Sequence, residues 1–261
     1  MDYQTLTVTI TDRIGHVTLN RPDLRNAFNE QSIAELALAF DELGRHELVR
    51  AIVLGANGPA FCAGADLNWM KKMAGYSDSE NRADAMRLAD MLRTIYTCPK
   101  PVVAKVQGDC YAGGMGLVAA CDVVVSVDTA NFCLSEVKLG LIPATISPYV
   151  IKAMGEQAAR RWFLTAERFD AKEAHRIGFV HEIVPAADLD TRVAGIVQAL
   201  ANNSPNAVRE AKRLVREIAG EPVTEALLED TADRIALIRA SSEGRDGVTA
   251  FLDKRKPAWL P

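Results

Sequence analysis

The sequence predicts an α/β fold: a layered core of strands and helices, followed by an all-helical C-terminal region. Three observations carry this expectation. Short runs rich in β-branched residues, at 6–10, 16–20, 50–54, 102–106 and 123–127, alternate with helical patterns. From about Asp188 the strand signals stop and apolar residues recur only at helical spacing. A chain of 261 residues, 49% hydrophobic and 25% charged, also has globular composition and enough length to bury a large core. We therefore expect an α/β core over residues 1–200 and a helical region over 201–261 that packs on the core or on a neighbouring subunit.

The elements follow in order. The first two runs, joined by Asp12-Arg13-Ile14-Gly15, read as a β-hairpin. A polar loop, Arg21-Pro22-Asp23-Leu24-Arg25-Asn26, leads to a helix with Ile33, Leu36, Ala37 and Phe40 on one face. The strand at 50–54 is closed by Gly55-Ala56-Asn57-Gly58-Pro59. Ser77-Asp78-Ser79-Glu80 has capping-box spacing, and Ala85, Leu88, Ala89, Leu92 and Ile95 give the next helix its apolar stripe. After Cys98-Pro99-Lys100-Pro101 come the strand 102–106, a glycine-bearing segment at 108–116, a short helix ending at Cys121 and the strand 123–127. Leu189, Val193, Ile196, Val197 and Leu200 mark one C-terminal helix, and Val208, Ala211, Val215 and Ile218 a second. A third begins near Glu221-Pro222.

Composition excludes several function classes. Thirty Lys+Arg against 34 Asp+Glu give a net charge of −4 with no Lys/Arg-rich run, which argues against a nucleic-acid surface. No segment approaches the roughly 18 uninterrupted apolar residues of a membrane helix, and Met1-Asp2-Tyr3-Gln4 lacks the features of a secretory signal. A cytoplasmic location is expected. The five cysteines, Cys62, Cys98, Cys110, Cys121 and Cys133, contain no Cys-x-x-Cys pair and read as reduced, buried thiols. There is no Gly-x-Ser-x-Gly elbow, no phosphate loop and no His-Glu-x-x-His, so no metal-ligand set is evident; His16, His46 and His175 read as solvated surface. Gly114-x-Gly116-x-x-Ala119 is a variant of the dinucleotide fingerprint. The helix after it is too short, however, and Asp128 comes 12 residues after Gly116 instead of about 20.

What remains is two backbone-driven segments and one carboxylate. Residues 61–67, Phe61-Cys62-Ala63-Gly64-Ala65-Asp66-Leu67, and residues 108–116 both run from a strand into a helix through small residues. First-turn amides of a helix lack intrahelical acceptors and carry the positive end of its dipole, so two such turns can converge on one carbonyl oxygen. The alternative is that the glycines serve only tight turns and close packing. Glu136 lies in a largely apolar stretch, where burial would raise its pKa and make it a proton carrier near neutrality. Lys138 could instead neutralise it in a structural pair.

Taken together, these segments resemble the crotonase family, the enoyl-CoA hydratases and isomerases. The likeness runs through Asn20-Arg21-Pro22, Asn26-Ala27-Phe28-Asn29, residues 61–67, Gly113-Gly114 with Ala120-Cys121-Asp122, residues 136–143, Ala171-Lys172-Glu173-Ala174 with Gly178, and Phe251 with Lys254-Arg255-Lys256-Pro257. The resemblance implies a crotonase-type spiral of ββα units with a C-terminal helical trimerisation region. It implies a homotrimer or dimer of trimers that binds acyl-CoA without metal or organic cofactor. Carried over position by position, the amides of Ala65 and Gly113 would form an oxyanion hole, and Glu136 would carry the proton. Ala27, Ala63, Asp66 and Leu67 would line the CoA path, Arg25 would meet a CoA phosphate, and Lys254 would reach CoA from the C-terminal region of the same or a neighbouring subunit.

One departure matters. Family hydratases carry two catalytic glutamates, and at the first position this chain has Gly116. A single Glu136 suits either hydration or a proton shuttle between C2 and C4, as in the family's isomerases. The stretches 64–70 and 132–149 are similar to bacterial hydratases of branched, carboxylated enoyl-CoAs, which favours hydration. Asn68, Trp69, Met70 and Tyr111 are candidates for the acyl pocket, with core packing the alternative for the three large ones. Lys71, Lys72, Arg87 and Lys105 are cations that could meet a substrate carboxylate.

Overall fold

The computed structural model describes residues 3–260. It opens with an antiparallel hairpin, β1 (Leu6–Thr11) and β2 (Ile14–Leu19), in register from Leu6 opposite Leu19 to Thr11 opposite Ile14. The connecting turn is shorter than expected. It consists of Asp12 and Arg13 alone, both at positive φ (49° and 69°), the conformation that matches the twist of a two-residue hairpin.

Three ββ pairs then build two sheets in step. These are β3 (Ala51–Ala56) with β4 (Ala60–Cys62), β5 (Val102–Val106) with β6 (Asp109–Tyr111), and β7 (Val123–Val127) with β8 (Asn131–Cys133). The first member of each pair joins a six-stranded sheet completed by β10 (Glu182–Val184), in the order β1-β2-β3-β5-β7-β10 and parallel from β2 onward. The second member joins a four-stranded sheet completed by β9 (Phe169–Asp170), in the order β4-β6-β8-β9, with β4, β6 and β8 parallel. β3 and β5 are buried almost throughout, as continuous apolar runs in a parallel sheet require.

Helices cover these sheets. α1 (Glu30–Arg45) is capped by Asn29 and buries Ile33, Leu36 and Phe40. α2 (Leu67–Met73) and α3 (Asp78–Thr97) follow β4, and the Ser77/Glu80 capping box is formed. The inward face of α3 is Asp84, Met91, Leu92 and Ile95, whereas Ala85 is exposed. Alanine is compatible with either face, so its spacing could not set the stripe. α4 (Gly113–Ala119), α5 (Ser147–Thr165) and α6 (Ala171–Arg176) follow β6, β8 and β9. α7 (Leu189–Asn202) lies on β3, β5 and β7, burying Leu189, Val193, Val197 and Ala201.

α8 (Pro205–Ile218) and α9 (Glu225–Ala240) bury no residue in the single chain, and a fourth C-terminal helix, α10 (Ser242–Leu252), follows. The expected third helix starts at Glu225, capped by Thr224, and not near Glu221. This group sits at the N-terminal ends of the parallel strands. Lys212 Nζ meets Asp122 Oδ2 at 2.7 Å beside the start of β5, and Arg13 in the hairpin turn donates to the Trp259 carbonyl. Cys62, Cys98, Cys110 and Cys133 are buried and Cys121 half-buried, all five as free thiols. Burial pushes the Cys62 thiol up to about 12. Among the described residues no helix is long and apolar enough to cross a membrane.

Candidate active site

The three segments singled out above leave the C-terminal ends of β4, β6 and β8, successive parallel strands of the small sheet. That end of a parallel sheet is where α/β folds place their ligands.

After β4, Ala63 N donates to the Arg25 carbonyl at 2.9 Å and Gly64 turns the chain with φ 93°. Phe28 and Ala65 then form a one-residue parallel bridge: Phe28 N donates to Gly64 O (2.9 Å) and Asp66 N to Phe28 O (3.0 Å). Both neighbours of the Ala65 amide are thereby fixed, while that amide itself meets no acceptor among the described residues. Asp66 locks the turn. Its carboxylate accepts from Asn68 N (2.7 Å) and Trp69 N (3.4 Å), capping α2, and from Arg21 Nη2 (2.8 Å); Arg21 Nη1 also reaches the Ala27 carbonyl. Burial opposes the charge on Asp66, but these donors together hold its carboxyl below the usual range.

After β6 the device differs. Ala112 N donates to Cys133 O at 2.8 Å, tying β6 to β8, and Ala112 itself takes φ 48°, ψ −125°. That conformation is costly for a residue with a Cβ and persists only where the surroundings enforce it. Gly113 then opens α4 with no side-chain cap, its amide without an acceptor among the described residues. A Cβ on Gly113 would lie 2.4 Å from Phe28 Cζ, and one on Gly114 2.8 Å from Cys62 Cβ. The glycines are therefore required by close packing, and that same packing seats the free amide. The two turns abut: a Cβ on Gly64 would lie 3.0 Å from Ala112 Cβ and 3.9 Å from Gly113 N.

After β8, Glu136 begins a 3₁₀ turn, Glu136–Leu139. Its Oε2 is buried with no hydrogen-bond partner, and desolvation raises the carboxyl above its ordinary 4.5, opposed only by its own backbone amide. Lys138 is exposed, and among the described residues no ion pair joins it to Glu136, so the structural Glu–Lys pair does not form. Gly116, where the resemblance places the first hydratase glutamate, is buried. A Cβ there would lie 2.3 Å from Ile146 Cγ2 and 2.8 Å from Ile146 Cβ.

The other expected residues fall into two groups. Arg25 is exposed at φ 49° in the loop that holds Ala63, with no acidic partner among the described residues; Ala27 is buried beside it and Ala63 half-buried. Leu67 and Asn68 are exposed on the first turn of α2. Lys254 is exposed at φ 55° beyond α10, five residues before Trp259, whose carbonyl accepts from Arg13 at the N-terminal ends of the strands, whereas the Arg25 carbonyl accepts from Ala63 beyond the C-terminal end of β4. Trp69 is 5% exposed, its ring 5.9 Å from that of Phe28, so it packs in the core with Nε1 unpartnered. The Tyr111 hydroxyl donates to Asp109 at 2.7 Å, and the Arg168 guanidinium lies 5.3 Å from its ring centroid. Of the four cations, Lys72 pairs with Glu30, Arg87 with Asp84 and Lys105 with Asp190, leaving Lys71 on α2 without an ion pair among the described residues. Arg21, Phe28, Ala112 and Ile146 carried no expected role, although each lies inside one of the stretches singled out in the sequence, at 20–22, 26–29, 108–116 and 132–149.

A family model described as enoyl-CoA hydratase/isomerase matches residues 9–260. The crystal structure of an enoyl-CoA hydratase from Shewanella pealeana superposes with a TM-score of 0.96 at 42% identity, covering 98% of this chain and 96% of that one. A protein of Mycobacterium bovis named "Probable enoyl-CoA hydratase echA8" is 34% identical over 260 residues, 99% of each chain. Mevalonyl-coenzyme A hydratase of Aspergillus fumigatus is 32% identical over 256 residues, 96% of this chain and 93% of that one. The chain belongs to the enoyl-CoA hydratase/isomerase family and has the crotonase fold.

Proposed function

We propose that this enzyme adds water across the 2,3 double bond of an enoyl-CoA, with 3-methylglutaconyl-CoA or a related branched acyl-CoA as substrate. The observation that carries the reading is the buried, unpartnered carboxylate oxygen of Glu136 beside two abutting turns whose Ala65 and Gly113 amides are free. With the thioester oxygen between those amides, charge moving onto it during attack at C3 is stabilised, an effect worth about 3 kcal/mol per donor. Ionised Glu136 takes a proton from water as the water oxygen bonds to C3 and the double-bond electrons move toward the thioester. The same carboxyl then returns that proton to C2. The step balances with one acid and regenerates it.

Arg25 would meet a CoA phosphate, with Ala27, Ala63, Asp66 and Leu67 along the path. Because the Asp66 carboxylate is committed to capping, its contribution is to the shape of that path. Lys254 would reach CoA only from a neighbouring copy, in a homotrimer or dimer of trimers. The exposed Leu228, Ile235 and Leu237 of α9 support such a contact. The branched substrate is supported by the Aspergillus relative, named for an acyl chain with a methyl at C3.

Loss of conjugated-thioester absorbance from 3-methylglutaconyl-CoA tests the proposal, and Glu136→Gln should cut turnover about 10³-fold. Activity should fall as pH drops through the raised pKa of Glu136, since only the ionised form accepts the water proton. The stability sign is opposite. A carboxyl whose folded pKa is raised destabilises the fold above that pKa, so Glu136→Gln should melt higher than wild type near neutrality, the gap closing below about 4.5. The Gly116 substitution favours a second reading, the isomerase. Conversion of a 3-enoyl-CoA to its 2-enoyl isomer, without hydration of either substrate, would establish it.

A further inference from the structure

We propose that Ile146 is the specificity-determining residue of the acyl site: backed by Leu92, it presents over Gly116 an apolar wall to a branch at C3 of the acyl chain. The inference rests on the acyl-CoA reading above and says which acyl chains the site prefers.

Ile146 packs directly against Gly116, where the side chain is missing. Ile146 is 2% exposed and its Cγ2 lies 2.3 Å from the point a Cβ at 116 would take, with Cδ2 of the fully buried Leu92 3.6 Å from that point. A side chain at 116 would therefore collide with Ile146 where it stands.

The placement follows from the helix and the loop. Gly116 lies three residues after Gly113 on α4, on a neighbouring part of the same face and about 4.5 Å further along the axis. An enoyl thioester whose oxygen meets the Gly113 amide extends its C2 and C3 over about that distance. Ile146 arrives from the same segment as Glu136: Leu141 N closes onto Glu136 O (3.1 Å), Ser147 N onto Ala144 O (3.2 Å), and Ile146 is the last residue before α5, which packs on α4. One loop thus supplies the proton carrier at one end and the apolar wall at the other.

Such a wall discriminates by chemistry. A carboxylate beside C3 would hold water and resist burial of a methyl there, whereas Ile146 offers no hydrogen bond and gains contact from it. One methylene in an apolar pocket typically changes recognition about tenfold or more.

The test uses saturated ligands, so that it does not depend on turnover. Calorimetric titration of the purified enzyme with isovaleryl-CoA, which carries the C3 methyl, and butyryl-CoA, which lacks it, should show the branched ligand bound about tenfold more tightly. Ile146→Ala should reduce that ratio at least fivefold, and Ile146→Val, which keeps Cγ2, should preserve it. If Ile146→Ala does not fold, Ile146→Thr, close in shape to valine but polar, should lower the ratio relative to Ile146→Val. A wild-type ratio near one, or ratios within twofold across the variants, would overturn the assignment while leaving acyl-CoA binding intact. Binding of neither ligand would instead overturn the acyl-CoA reading, and this inference with it. A second measurement reads the packing itself: Gly116→Ala should lower the melting temperature sharply in wild type and much less beside Ile146→Ala, and an equal cost in both backgrounds would count against the proposal.

Discussion

The turns after β4 and β6 each expose one backbone amide, yet they are held by opposite means. The Ala65 turn is fixed by polar partners: a capping Asp66, an ion pair with Arg21 and a one-residue bridge to Phe28. The Gly113 turn has no side-chain cap and is held by packing on Phe28 and Cys62, with strain at Ala112 balanced by one hydrogen bond to Cys133. A polar lock tolerates changes in volume but not loss of a charge. A packed turn tolerates changes in charge but not one added methyl. A pair built this way should fail differently on its two sides.

The largest break is expected from Gly113→Ala. The new Cβ would collide with Phe28 Cζ at 2.4 Å, displacing the amide, and kcat should fall about 10²- to 10³-fold, the range for a lost oxyanion donor. A loss under tenfold, measured at saturating substrate, would show that the amide keeps its place without the packing.

Asp66→Ala should act on stability first, lowering it by about 3 kcal/mol in urea melts, because it removes a cap and leaves Arg21 half its partners. The pH dependence sharpens the contrast. Asp66 titrates below the usual carboxylate range, so its stabilisation is present above the unfolded-state pKa and lost as pH falls through the depressed one. The difference between wild type and variant should therefore shrink in acid, whereas that for Gly113→Ala should not.

The smallest effect should come from Ala112→Gly. Glycine adopts φ 48°, ψ −125° without the Cβ penalty but loses more entropy on folding, so stability should change by about 1 kcal/mol or less while kcat falls severalfold through a looser amide. A rise in kcat would mean that the strain at Ala112 hinders turnover.

Legibility in the sequence followed element length and the source of each constraint. β3, β5 and β7 were readable because five or six residues of buried, β-branched chain leave a clear signal. β6 lay unnoticed inside the glycine-bearing segment, because three residues carry no measurable period, and α10 escaped because its exposed faces have no core to pattern them against. Glu136 stood out as an acid in an apolar run. That Lys138 leaves it alone was not readable, since side chains two residues apart in a 3₁₀ turn can point either way. The Arg21–Asp66 lock spans 45 residues, and no local pattern announces it.

The sequence by itself determined the alternation of strands and helices, the two small-residue turns, the single acid and the family, because these are written in local spacing and in motifs. The tertiary structure alone decided that the two turns abut, that Ile146 packs against Gly116 and that the segments of Lys254 and Arg25 are tied to opposite ends of the strands. Those facts depend on how β4, β6 and β8 pair, and pairing across dozens of residues is fixed by the packing of the whole chain and not by any stretch of it.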